Sequence, residues 1–264
     1  MMKNEYIPFQ SEILDIIKHT DIEYTFRMAF KGEVKPGQFF EVSLPKYGEA
    51  PISVSGISED SVELTIRKVG HVTNEIFEKG IGTSLLMRGP YGNGFDLELY
   101  KNKDIIIVAG GTGVSPVRGV VDYFAKNSDK CIKLTVIAGF KSTKDVLFKD
   151  DFKAWIDTSN IIMTIDKEEE GYNGNVGLVT NYIPTLEVED FSVVEAIVVG
   201  PPIMMKFATK ALIDLGVPEK QIWVSQERKM CCGIGKCGHC KINDTYICLD
   251  GPVFNYVENK ELVD

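Results

Sequence analysis

Five of the six cysteines in this 264-residue chain fall within 23 consecutive residues, MCCGIGKCGHCKINDTYICLDGP. Cys232, Cys237, Cys240 and Cys248 are spaced C-x4-C-x2-C-x7-C. A chain that must bring four thiols together is far more constrained than one that only buries an apolar core. C-x4-C-x2-C followed by a more distant cysteine is the plant-type [2Fe–2S] spacing. Gly233, Gly235 and Gly238 suit a backbone that wraps around such a cluster and aims N–H groups at its sulfurs. Structural zinc more often pairs two short C-x2–4-C hairpins, and redox-active thiols are the third reading. The spacing favours the cluster. Cys231, adjacent to Cys232, would point elsewhere and is read as a non-ligand. Cys131 is read as an ordinary buried residue.

The surroundings implied by composition agree. The net charge of −9 argues against nucleic acid or an anionic membrane as partner. The opening MMKNEYIPFQSEIL lacks the basic-then-apolar order of a secretory signal. Apolar runs such as 105–109 fall well short of the ~18 residues of a membrane span. The expected location is cytoplasmic, where reduced cysteines bind metal rather than pair.

Two patterns divide the remainder. Within residues 1–100, YTFRMAF, QFFEVSL, PISVSGI, SVELTIRKV and SLLMRGP are short runs broken by Gly, Pro and acidic residues, which predicts a small antiparallel barrel or sandwich. From 101 to 222, IIIVAGG, KLTVIAGF, NIIMTID, EAIVVG and QIWVSQ read as buried parallel strands, with helix-like stretches such as IMMKFATKALIDLG between some of them. This alternation predicts a doubly wound α/β domain. Ser115 and Pro116 are expected as N-cap and first helical residue. Val117, Val120, Val121 and Phe124 follow on one helical face. Residues 223–264 form the cysteine lobe.

Three glycine turns sit where an anion is readily held. AGGTGVSP joins a strand to a helix, so its N–H groups can face a phosphate. Pro116 occupies the third glycine position of G-x-G-x-x-G, and such a turn also serves as a plain connection. VVGPPIMM is a second strand end expected at the same edge of the sheet. IRKVGHVTNEIF offers either a phosphate turn or a helix capped by Thr73.

Together these stretches resemble the ferredoxin-NADP reductase superfamily, in its branch with a C-terminal [2Fe–2S] lobe. That branch includes the electron-transfer subunit of dihydroorotate dehydrogenase B, the γ subunits of cytoplasmic hydrogenases and the corresponding electron-transfer component of anaerobic sulfite reductase. ERKMCCGIGKCGHC…CLDGPVF carries the resemblance most specifically. GEAPISVS and KCGHC look most like the sulfite reductase and hydrogenase members. The resemblance implies an antiparallel flavin-binding barrel (1–100), a doubly wound parallel-sheet NAD(P) domain (101–222) and a small [2Fe–2S] lobe (223–264). It implies FAD near Pro51, Ile52 and Ser53, with Ile66, Arg67 and Lys68 along the ring and ribitol. Gly70, Val72 and Thr73 match the flavin pyrophosphate turn. Gly110, Gly111, Thr112 and Gly113 match the nucleotide loop, and Gly200, Pro201 and Met204 the turn beside the nicotinamide. Cys232, Cys237, Cys240 and Cys248 match the cluster ligands. No protein acid or base is required for hydride transfer, so no catalytic residue is assigned.

Two positions depart from the family pattern. Ala50 stands where an arginine often precedes Pro-x-Ser, which bears on FAD against FMN. Val199 stands where many relatives have cysteine. His19 is expected at the surface, His71 near a flavin phosphate or solvent, and His239 as a modulator of the cluster rather than a ligand. Glu168, Glu169 and Glu170 favour NADH, whereas Lys141 and Lys144 favour NADPH. The expected activity is electron transfer from NADH through FAD and the cluster to a catalytic subunit, first of all a sirohaem sulfite reductase, with a ferredoxin-like subunit as a further partner. A hydrogenase γ subunit or the dihydroorotate dehydrogenase B electron-transfer subunit is the alternative within this class. A non-catalytic regulatory flavoprotein and a zinc-stabilised binding module are the alternatives outside it.

Overall fold

The computed structural model describes residues 4–260 and 262. The chain divides into two compact units, residues 1–95 with 226–253 and 262–264, and residues 96–225 with 254–261. The cysteine run thus shares a unit with the N-terminal strands.

In the first unit six strands close a barrel in the order β1-β2-β5-β4-β3-β6. They are β1 (Phe9–Lys18), β2 (Glu23–Ala29), β3 (Phe39–Leu44), β4 (Gly48–Ile57), β5 (Ser61–Arg67) and β6 (Ser84–Tyr91). All their pairings are antiparallel. Phe26 lies opposite Leu64 and Met28 opposite Val62, so the apolar face of β2 meets that of β5 inside the barrel. Ile13, Phe40, Val54, Ile66 and Met87 fill the same core. Burying each such side chain contributes about 1.5–3 kcal/mol. The expected runs became strands, and β1 was the sixth. Its register shifts between Ile13 and Asp15, which breaks the alternation that would have marked it. Helix α1 (His71–Ile76) follows β5, and Thr73 closes its first turn. The Thr73 hydroxyl accepts from the Val69 and Gly70 N–H groups and donates to the Gly70 carbonyl.

The second unit is built on a seven-stranded sheet of order β10-β9-β8-β7-β11-β12-β15. Its strands are β7 (Asp104–Gly110), β8 (Lys133–Phe140), β9 (Asn160–Ile165), β10 (Asn175–Val176), β11 (Val194–Val199), β12 (Ile222–Ser225) and β15 (Val253–Asn255). Strands β10 to β12 are joined by parallel pairings. Every residue of β7 is buried, as its apolar run requires of a central strand. Between the strands lie α2 (Val114–Lys126), α3 (Lys149–Trp155) and α4 (Pro202–Leu215). Val117, Val120, Val121 and Phe124 of α2 are all fully buried. The helix starts earlier than Ser115, because a 3-10 turn over Gly111–Gly113 leads straight into it. Gly216, at φ 120°, ends α4 in the left-handed conformation that stops helices. No described helix is long and apolar enough to cross a membrane.

Candidate functional site

The cysteine loop runs from Met230 into the hairpin β13 (Lys241–Ile242) and β14 (Thr245–Tyr246), then into the short helix α5 (Ile247–Asp250). Cys232, Cys240 and Cys248 are buried and Cys237 is exposed. Main-chain N–H groups point at the sulfurs. Lys236 and Cys237 donate to Cys232 Sγ at 3.3 and 3.4 Å, and Gly235 donates to Cys248 Sγ at 3.2 Å. Gly235 has φ +67°, and a Cβ there would meet Leu249 Cδ2 at 2.7 Å, so both backbone angle and space call for glycine. Burial opposes ionisation of Cys232, but the N–H groups of Cys237, Ile234 and Lys236 outweigh it and hold the thiol at about 6. Burial and the hydrogen bond with Cys240 push Cys248 up to about 12.

Main-chain N–H groups of one loop thus serve the sulfurs of two of the four cysteines, Cys232 and Cys248. Among the described residues no three Cys, His, Asp or Glu side chains converge on a single-ion site. A [2Fe–2S] cluster takes four thiolates, with hydrogen bonds to its sulfurs. The donor set and its N–H groups therefore fit a [2Fe–2S] cluster. Cys231 is half-buried. Cys131 is also half-buried rather than buried, and it precedes β8 instead of opening it.

A charged cluster missed by sequence reasoning lies under this loop. Arg88 on β6 is only 3% exposed. Its guanidinium grips Glu49 with two bonds of 2.8 Å and donates to the carbonyls of Cys231 at 2.6 Å and Cys232 at 2.5 Å. A fifth bond reaches the Tyr91 hydroxyl at 3.4 Å. All five donors of the guanidinium are thereby used. Glu41, directly across from Arg88 in the β3–β6 register, receives none. It is 1% exposed, and neither carboxylate oxygen has a hydrogen-bond partner among the described residues.

Burial outweighs the nearby Arg88 charge and raises Glu41 from 4.5 to about 7. A folded-state value above the unfolded one means the folded protein holds the proton longer. Stability should therefore fall between pH 4.5 and 7, by ~3 kcal/mol, and level off above. Glu41→Gln should abolish this slope, since glutamine does not titrate. Urea unfolding at a series of pH values checks it, and parallel profiles for the two proteins would refute it.

The residues expected around a flavin come together on adjoining elements of the first unit. Pro51, Ile52 and Ser53 lie half-buried on β4, opposite Glu41, Phe40 and Phe39. Ile66 ends up in the barrel core at 1% exposure, so only its backbone can face a ligand. Arg67 pairs with Glu23 at 3.1 Å and Lys68 with Glu78 at 3.6 Å. Gly70, Val72 and Thr73 open α1, where the Thr73 hydroxyl is spent on the cap described above. His71 is exposed beside the Tyr47 ring. His19 is not a plain surface residue, because it is half-buried and hydrogen-bonded to Thr25 Oγ1 at 2.7 Å.

In the second unit, the glycine loop and the Gly-Pro turn meet at the carboxyl ends of the adjacent strands β7 and β11. Connections leave these two strands in opposite directions across the sheet, which makes this the switch point where α/β sheets take ligands. A Cβ at Gly113 would meet the Val199 carbonyl oxygen at 2.5 Å, and one at Gly200 would meet Met204 Cε at 2.9 Å. Gly110 likewise borders Pro201 and Met204. Thr112 lies in the turn between Gly111 and Gly113. Ser115 Oγ is buried at the start of α2 without a hydrogen-bond partner among the described residues, an orphaned polar atom where a dinucleotide phosphate would lie. In the loop after β9, Glu169 turns inward and accepts from Thr143, just past β8, through its N–H at 3.2 Å and its Oγ1 at 2.5 Å. Glu168 and Glu170 stay exposed, as do Lys141 and Lys144.

Comparison with known proteins matches two segments of the chain to family models. Residues 107–210 match the oxidoreductase NAD-binding domain. Residues 227–259 match the iron–sulfur cluster binding domain of dihydroorotate dehydrogenase B. Sulfhydrogenase 2 subunit gamma of Pyrococcus furiosus is 34% identical over 96% of both chains. A probable dihydroorotate dehydrogenase B electron transfer subunit of Thermococcus kodakarensis is 34% identical, over 96% of this chain and 95% of that one. A solved structure of NADH-dependent reduced ferredoxin-NADP oxidoreductase superposes with a TM-score of 0.78 at 25% identity, covering 99% of this chain and 94% of that one.

Proposed function

This chain belongs to the ferredoxin-NADP reductase-like family of electron-transfer subunits with a C-terminal iron–sulfur domain, the family of the hydrogenase γ and dihydroorotate dehydrogenase B electron-transfer subunits, and we propose that it delivers electrons from NADH to a separate catalytic subunit of hydrogenase type. It is an NAD-dependent oxidoreductase subunit, with NADH, FAD and an iron–sulfur cluster as its cofactors. When bound, these groups supply hydride acceptance at the flavin and one-electron transfer at the cluster. The observation that carries the reading is the C-x4-C-x2-C-x7-C loop whose main-chain N–H groups donate to the sulfurs of Cys232 and Cys248. Cys232, Cys237, Cys240 and Cys248 are its proposed ligands.

Pro51, Ile52, Ser53 and the backbone of Ile66 to Lys68 are the proposed flavin contacts, with Gly70, Val72 and Thr73 at its phosphates. Ala50 stands in place of arginine, and the cations of the Ile66 to Lys68 segment, Arg67 and Lys68, both already have carboxylate partners. Gly110 to Gly113, Gly200, Pro201 and Met204 are the proposed nucleotide contacts. The hydrogenase type is preferred for the partner because sulfhydrogenase γ subunits reach 34% and 35% identity over nearly the whole of both chains, with the dihydroorotate dehydrogenase B type, matched at 34%, as the alternative. No sulfite reductase subunit stands among the relatives named above, so the sirohaem sulfite reductase expected from sequence is not the preferred partner. The proposed location is the cytoplasm, where the thiols stay reduced.

Glu169 supports NADH as the donor. Its carboxylate, carried by the loop after β9, is held by Thr143 just past the end of the second strand β8, and a carboxylate at that place favours a ribose 2′-hydroxyl and repels a 2′-phosphate. Glu169→Gln should therefore raise the preference for NADPH over NADH by about tenfold, about 1.4 kcal/mol, read as the ratio of kcat/KM with a dye acceptor.

The function itself is tested by anaerobic mixing. The isolated chain with NADH should reduce a one-electron dye and evolve no hydrogen, and hydrogen should appear once the catalytic subunit is added. Hydrogen from the homogeneous chain alone would overturn the assignment. The visible spectrum of the purified chain should carry flavin and iron–sulfur bands.

A further inference from the structure

Arg88 is placed where a cation can act on both ends of the proposed electron path. Two of its five acceptors are the carbonyls of Cys231 and Cys232, the backbone of the first proposed ligand. Two more are the oxygens of Glu49 on β4, the strand that carries Pro51 to Ser53. The Tyr6 and Tyr91 rings flank the guanidinium, with centroids 5.2 and 5.7 Å away. A mere clamp would need donors but no charge, and a buried charge is costly unless paired. Here the pairing is lopsided. Glu49 is 36% exposed on its side chain, so solvent screens it, while Arg88 is buried against the loop.

A cluster held by four thiolates is anionic and becomes more so on reduction, and charge near it is one of the determinants of its potential. A fixed cation inside the protein stabilises the reduced form more than the oxidised one, because low dielectric strengthens the interaction. We propose that Arg88 is the positioning residue that fixes the cluster loop on the barrel and raises the cluster's reduction potential, with Glu49 as the counter-charge that limits the rise. This rests on the reading of the four cysteines as cluster ligands.

EPR-monitored redox titration of the holoprotein tests it with three variants. Arg88→Gln should lower the midpoint by the equivalent of at least a tenfold change in the oxidised-to-reduced ratio, about 59 mV for one electron. Arg88→Lys should fall between, since it keeps the charge but cannot span both carbonyls and Glu49. Glu49→Gln should shift the midpoint upward, because it leaves the Arg88 charge uncompensated. Opposite signs at Arg88 and Glu49 are not what a general loosening of the loop would give. Equal midpoints in wild type and Arg88→Gln would overturn the proposal, as would a fall in Glu49→Gln. If Arg88→Gln takes up no iron, the sign in Glu49→Gln decides alone. A wild-type chain that binds no iron would overturn the ligand reading as well.

Discussion

Replacing Cys248 by serine is expected to abolish the EPR signal of the reduced protein and all electron delivery to the catalytic subunit, while NADH still reduces the flavin. Cys248 is 1% exposed on α5 and accepts the Gly235 N–H, so no other side chain can take its place without moving the loop. It is one of the four proposed ligands, and losing it would leave the cluster one thiolate short. Cys231 does not substitute, because its carbonyl is tied to Arg88. Cys231→Ser should accordingly keep full iron content and the same signal. The nucleotide loops belong to the other compact unit, and the proposed flavin contacts lie on β4 and from Ile66 to Thr73 rather than in the cysteine run, which is why flavin reduction should survive. Iron analysis, EPR and stopped-flow absorbance on the two variants check this. A normal signal in Cys248→Ser, or its loss in folded Cys231→Ser, would remove the basis of the ligand assignment.

Periodicity was most readable where one face of an element is buried without interruption. The KLTVIAGF run is β8 residue for residue, and IMMKFATKALIDLG is α4 but for a first proline and the final Gly216. β1 escaped because a bulge between Ile13 and Asp15 moves its side chains out of alternation. Ser115 looked like a cap, but glycines before it already turn the chain into helix. The cysteine spacing was legible because ligand geometry depends on local sequence.

What surrounds that loop was not legible, because Arg88 and the Cys231–Cys232 carbonyls are more than 140 residues apart. One signal was nevertheless present. Arg88 in SLLMRGP and Glu41 in FFEVSL are lone charges inside otherwise apolar strands. Such residues are either at an edge or part of a buried polar group, and here they are directly opposite each other. Glu169 could not be told from its two neighbours by sequence, since only the return of the chain toward Thr143 selects it.

The Gly113→Val substitution should produce the opposite separation. Gly113 is buried where β7 runs into α2, and a Cβ there would meet the Val199 carbonyl oxygen at 2.5 Å and Gly200 Cα at 2.9 Å. Both obstacles are main chain, at the end of the strand paired with β7, and neither can rotate away as a side chain would. The loop or the Gly-Pro turn must therefore shift, at a cost of about 1–3 kcal/mol in overpacking. These are the two segments proposed to hold the nicotinamide nucleotide, and a displacement near 1 Å is enough to lower a positioned reaction about 100-fold. The rate of flavin reduction by NADH should fall by at least about that factor. Iron content, and the EPR signal after chemical reduction with dithionite, should stay as in wild type, because the thiols lie in the other unit. A folded Gly113→Val protein whose flavin is reduced by NADH at the wild-type rate would show that the nucleotide does not approach this edge of the sheet.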